Sequence, residues 1–241
     1  MKTELFQAHT RGHKNHGWLD TYHTFSFANY YNPERIHFGA LRVVNDDVVV
    51  GGKGFGTHPH DNMEIISIPL SGALQHRDSM GNGSVIRAGE IQVMSAGTGI
   101  THSEFNANRD KDVNFFQIWV FPNKKNVKPR YGQQKFDFSA NRNQLTQIVS
   151  PDPEDEGLWV HQDTWFHIGI YDKGKTFDYS LKKAGDGLFA MVVEGEFTIA
   201  GRPLNRRDAI GITDADKVTI QAESEDARLL LIEVPMCDAD E

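Results

Sequence analysis

The chain of 241 residues holds one cysteine, Cys237. A lone thiol cannot close an internal disulfide, so a disulfide framework is excluded and a reducing compartment fits. Long apolar runs are also missing. The longest, such as Leu229 to Ile232, fall far short of the roughly 20 residues that cross a bilayer. Met1 to Gln7 lacks the apolar stretch of a secretory signal, and a cytoplasmic protein without membrane contact is expected. Basic stripes are scarce as well. Lys and Arg number 25 against 33 Asp and Glu, a formal charge of −8. Both signs are mixed along the chain, so direct nucleic-acid binding is not expected. The short basic group Lys124, Lys125, Lys128 and Arg130 reads as a solvated loop, and Asp238 to Glu241 as a solvated acidic end.

What the sequence does have is short apolar segments divided by Gly, Asp and Asn, with 15 phenylalanines among them. This texture favours strands over helices. Leu41 to Val44 and Val48 to Val50 read as two strands joined by a tight turn at Asn45-Asp46-Asp47. Further strands are expected at Glu64–Leu70, Ser84–Ala88, Glu90–Ser95 and Phe115–Phe121. The stretch from Pro122 to Gly157 is polar and holds four prolines, Pro122, Pro129, Pro151 and Pro153, as a connection between two halves would. Strand texture resumes at Phe166–Ile170 and continues through Leu188–Val193, Glu196–Ala200, Lys217–Gln221 and Arg228–Val234. An all-β protein of two similar units follows, divided at 1–130, a linker 131–157, and 158–241, with few short helices.

The densest polar signal is Gly52 to Glu64, which contains His58-Pro59-His60. Residues two apart in an extended segment share a face, so both histidines project into one space while Pro59 points away. The same spacing recurs in His102-Ser103-Glu104, within a glycine-rich approach at Gly97-Thr98-Gly99. Two such pairs on facing strands would gather three imidazoles and one carboxylate, a donor set for Fe, Mn, Ni, Cu or Zn. No thiolate takes part, which argues against a closed structural zinc site. One His-x-His motif is usually only surface or packing; the second pair is what makes a metal site the better reading. Glu64 also stands at an even offset from His60, so spacing leaves Glu64 and Glu104 both open as the carboxylate.

The remaining histidines share no common face. His9, His13, His16, His23 and His37 crowd the first forty residues, and His161 and His167 fit packing or surface roles. His23 and His76 are candidates to line the pocket. Trp18, Phe25, Phe27 and Trp119 read as core aromatics, and Phe55, Ile66 and Phe116 as walls of a barrel interior suited to a flat aromatic substrate. Glu194-Gly195-Glu196 reads as a hairpin turn.

Gly52, His58-x-His60 and Glu64 resemble the first cupin motif, and Gly99-x-x-His102-x-x-x-Asn106 the end of the second. Phe55 to Glu64, His76-x-Asp78-Ser79-x-Gly81 and Met94 to Glu104 narrow the likeness to the pirin family of bicupins. So do Arg11-Gly12-His13, Gly17 to Asp20 and His23 to Tyr31. The resemblance implies two jelly-roll-like β-barrels with a metal only in the first. The ion is held by His58, His60, His102 and Glu104, while Glu64 stands nearby without binding. Fe(II) is the expected ion, with Cu, Ni, Mn or Zn able to replace it. The implied activity is flavonol dioxygenation, opening a quercetin-like ring with O2 and releasing CO, with Glu104 as catalytic base. A metal-dependent redox sensor of the co-regulatory kind, or a dioxygenase of another aromatic or enol metabolite, are the rival expectations. The residues specify no oligomeric state.

Overall fold

The structure, a computed structural model, describes residues 1–236; Cys237 and the acidic end Asp238 to Glu241 lie outside the described residues. Strands dominate, and among the described residues the one helical piece is a 3-10 turn at Ala8–Thr10. Four sheets form two β-sandwich units. In the first unit, a seven-stranded sheet runs in the order Arg130–Lys135, Glu90–Ser95, Glu64–Ser71, Val113–Val120, Leu41–Val49, Leu19–His23 and Gly12–Asn15. It packs on a four-stranded sheet of Gly54–His60, Ile100–Asn106, Ala73–Asp78 and Gly83–Arg87. The second unit repeats this plan. Its larger sheet includes Gly187–Glu194, Ala227–Val234 and Trp165–Tyr171, and its smaller one Thr176–Ser180 and Lys217–Ala222.

The two seven-stranded sheets meet back to back, and alternation along each strand decides which side chains go where. Ile66 and Ile68 on Glu64–Ser71 join Phe116, Ile118, Phe166, Ile168, Leu230 and Ile232 in one apolar cluster shared by both units. Ile65, one residue out of phase, packs instead with Met94 and Ala96 inside the first barrel. Ile66 and Phe116, expected to wall that barrel, therefore face the second unit. A shift of one residue exchanges the faces, and an apolar run such as Ile65-Ile66 carries no signal as to which member faces which way.

Three further expectations are revised. Leu41–Val49 is one continuous strand, not a hairpin. Asn45, Asp46 and Asp47 are buried within it and pair in register with Gln117, Phe116 and Phe115 of the neighbouring strand. Their turn-forming tendency is overridden because their side chains find partners: Asp46 meets Arg207 at 2.9 Å and Arg11 at 3.3 Å, and Asp47 accepts from the Thr21 hydroxyl. Next, the units interlock across the expected boundaries. Lys2–Phe6 adds to the second unit by pairing with Ala209–Thr213, and Arg130–Lys135, at the head of the expected linker, pairs with Glu90–Ser95 of the first. The latter is a half-exposed edge strand, whose polar residues gave no alternating pattern. Finally, Lys124, Lys125 and Lys128 are exposed as expected, but Arg130 is not part of a solvated loop. It stacks 3.8 Å over the Trp159 ring and donates to the Trp159 carbonyl. Glu194-Gly195-Glu196 does form the turn after Gly187–Glu194, with Gly195 at φ 77°.

Candidate metal centre

Gly54–His60 and Ile100–Asn106 are hydrogen-bonded antiparallel neighbours, with His102 directly opposite His58 and Ile100 opposite His60. The pairs thus sit side by side on one sheet, not on facing strands. Beyond His102 the register slips: one strand advances from His58 to Phe55 while the other goes only from His102 to Glu104. Gly56 lies in this bulge, and its carbonyl accepts from His58 Nδ1–H at 2.8 Å. That bond fixes the His58 tautomer and leaves the Nε2 lone pair free.

His58, His60 and His102 each offer a ring nitrogen, all within 4.8 Å of one another. Burial, followed by the neighbouring imidazoles, holds His102 far below the ordinary histidine range. Burial and then His58 bring His60 down to about 4. Both rings are therefore neutral at physiological pH, as ligands must be. His102 is oriented from behind. Its Nδ1 lies 3.5 Å from His76 Nδ1, and His76 Nε2 lies 3.0 Å from Asp78 Oδ2. A carboxylate only accepts, so His76 donates from Nε2 and receives at Nδ1 the proton of His102. His102 Nε2 is then a bare lone pair; it is buried and has no hydrogen-bond partner.

Glu104 shares the buried face of its strand with His102 but lies outside the three-histidine group. Its carboxylate reaches the opposing sheet, where Gln117 Nε2 donates at 2.7 Å and Ser67 Oγ lies 3.2 Å away. Burial pushes its pKa up to about 7. Glu64 points out of the barrel toward the second unit and accepts from Ser95 Oγ at 2.7 Å, so it stands away from the histidines. His76 contacts the site, whereas His23 turns to Thr21 at 2.9 Å and to the Phe27 ring.

Trp119, expected as a core aromatic, stands edge-on to His60 with ring centroids 4.9 Å apart. Its buried Nε1 has no partner. Only its position two residues after Gln117 on one strand pointed to this place, and apolar neighbours masked it. Phe25 is a core residue as expected.

The donor set fits a borderline divalent cation. An orphaned, buried, neutral imidazole nitrogen beside two more imidazoles is costly unless something accepts its lone pair. Among the described residues this is the one cluster of three His, Cys, Asp or Glu donors so close together.

The same fold is found in known proteins. Residues 5–120 match the Pirin family model, and residues 147–234 match the model of the quercetinase C-terminal cupin domain. A protein named quercetin 2,3-dioxygenase from Escherichia coli K12 is 45% identical over 96% of this chain and 98% of its own. The chain belongs to the pirin family. A pirin-like protein of Caulobacter vibrioides is 38% identical over 92% of this chain and 95% of its own. The crystal structure of bacterial pirin YhhW in complex with nickel(II), from E. coli, superimposes with a TM-score of 0.93 at 42% identity, covering 98% of this chain and 100% of that one. The two sandwich units are thus the two cupins of a pirin, with the three histidines in the first. No helix among the described residues is long and apolar enough to cross a membrane.

Proposed function

We propose that this pirin is a cytoplasmic, metal-dependent flavonol 2,3-dioxygenase. Its metal is held by His58, His60, His102 and Glu104, with Fe(II) as the working ion and a quercetin-like flavonol and O2 as substrates. The observation that carries this reading is the bare, buried Nε2 of His102 beside His58 and His60. The names of the E. coli relative and of the C-terminal domain model support the substrate class, and the nickel(II) complex of E. coli pirin supports the metal. When bound, the ion lowers the pKa of a coordinated hydroxyl and leaves positions open for small ligands.

The protein's own residues do the rest. Gly56 holds the His58 imidazole, and the His76–Asp78 pair the His102 imidazole, in the ligating tautomer. Trp119 closes the site beside His60 and excludes water from that side. Burial raises the proton affinity of the Glu104 carboxylate, so as the anion it takes up the substrate hydroxyl proton at a carboxylate oxygen. Gln117 and Ser67 keep that carboxyl in place.

The test is metal analysis of anaerobically purified protein, coupled to oxygen uptake and CO release with quercetin and a panel of other enols. Metal-dependent, oxygen-dependent loss of flavonol absorbance is expected. Turnover that survives chelation or anaerobiosis ends the proposal.

A further inference from the structure

The back-to-back cupins do not seal completely. At one end of their shared core lies a cavity of about 260 Å³, walled by Ile68 and Phe116 of the first cupin and Ile168 and Leu230 of the second. Phe136 and Phe138, from the segment joining the cupins, stack at 5.9 Å and 13° over its flank. Arg228 also lines it. By alternation this arginine shares a strand face with Leu230 and Ile232, the face turned to the first cupin.

Among the described residues Arg228 has no counter-ion, and its buried Nε has no hydrogen-bond partner. The acid across the ladder is Glu194, but Arg206 holds that carboxylate at 2.7 Å and Arg207 at 3.5 Å. Asp137 stands on the cavity lining, yet its Oδ1 is taken by the backbone N–H of Ser139 and of Ala140 at 3.2 and 3.0 Å. A buried, unpaired guanidinium N–H is expensive, and its planar fork matches a carboxylate with two parallel hydrogen bonds.

We propose that this cavity is a ligand site, separate from the metal centre, for a monocyclic aromatic monocarboxylate. The ring lies among Phe116, Phe136 and Phe138, and the carboxylate accepts from Arg228. The volume is below the roughly 300 Å³ at which drug-sized pockets begin, which restricts the ligand to about one ring and a short acid arm. The site does not depend on the dioxygenase reading.

Calorimetric titration of the metal-loaded protein with 3-phenylpropionate and with its neutral amide tests this. The acid is expected to bind at least about tenfold tighter than the amide, a difference of about 1.4 kcal/mol. Arg228→Met should bring the two within about twofold of each other, and Leu70→Trp, which fills the cavity, should abolish binding of both. Asp137→Asn, an exposed change that removes a competing charge, should tighten binding of the acid. His58→Ala/His60→Ala should leave acid binding unchanged. Equal affinity for acid and amide, an acid preference that survives Arg228→Met, or binding lost with the two histidines overturns the proposal, as does failure of the wild-type protein to bind the acid.

Discussion

Asp46 and Arg207, 161 residues apart in the chain, meet at 2.9 Å across the junction of the two cupins. Both side chains are nearly inaccessible, at 10% and 4% of full exposure. Arg11 reaches the same carboxylate at 3.3 Å, and Asn114 donates to its other oxygen at 2.8 Å. A buried pair of this kind contributes little net stability compared with well-packed apolar residues, but removing one partner strands the other. Asp46→Ala should therefore destabilise the protein by about 3–5 kcal/mol, read as a lower urea midpoint. The double variant Asp46→Ala/Arg207→Met should cost less than the sum of its parts. Strict additivity would mean that the two side chains do not interact.

His76 touches the metal centre only through His102 Nδ1. Replacing it by Phe removes the acceptor that fixes the His102 tautomer. Metal affinity, measured by competition with a chromogenic chelator, should fall about 10- to 100-fold. Asp78→Asn should act in the same direction, since it weakens the bond that orients His76. Unchanged affinity in both variants would show that His102 is held by its strand alone.

Glu104 and Glu64 are separated by one experiment. Glu104→Gln should lower bound metal and remove most of the heat-stability gain that metal binding confers. Glu64→Gln should leave both intact, because its carboxyl faces Ser95 and the second cupin. A Glu104→Gln protein with full metal content would end the assignment of Glu104 as fourth ligand.

The same Glu64 sets a pH dependence. Burial pushes it up to about 7, with the Ser95 hydroxyl, a backbone N–H of His161 and Arg130 pulling the other way. A carboxyl with a raised folded pKa binds its proton more tightly when folded. Its contribution is therefore fully present below about pH 4.3, the unfolded value, and is lost as pH rises through about 7. Wild-type stability should fall relative to Glu64→Gln between pH 5 and pH 8, by about 1–3 kcal/mol, in denaturant titrations at the two pH values. A difference that stays constant or reverses would show that Arg130 keeps Glu64 ionised throughout.

Much of this molecule follows from local pattern. Short β-branched and aromatic segments bounded by Gly, Asn and Asp specify strands, since a pleated, half-buried backbone accepts those side chains. Two-residue spacing alone put His58 with His60 and His102 with Glu104 on common faces, because period two is a property of the extended chain. What spacing could not decide was everything set by contacts between distant segments. Asn45-Asp46-Asp47 has the composition of a turn and lies in the middle of a strand, because Arg207, Arg11 and Thr21 satisfy its carboxylates. Glu64 and Glu104 were equivalent by parity, and only the packing of one sheet against the second cupin sends Glu64 outward. Phe116 and Ile66 were expected to wall the first barrel, and that same packing places them instead in the core between cupins. The sequence by itself determined the strands and the same-face histidine pairs, both local consequences of backbone geometry. Tertiary structure decided which face is inside, that Glu64 turns away from the barrel while Glu104 keeps to the His102 face, and how the N-terminal strand joins the far sheet, because each depends on a partner many residues away.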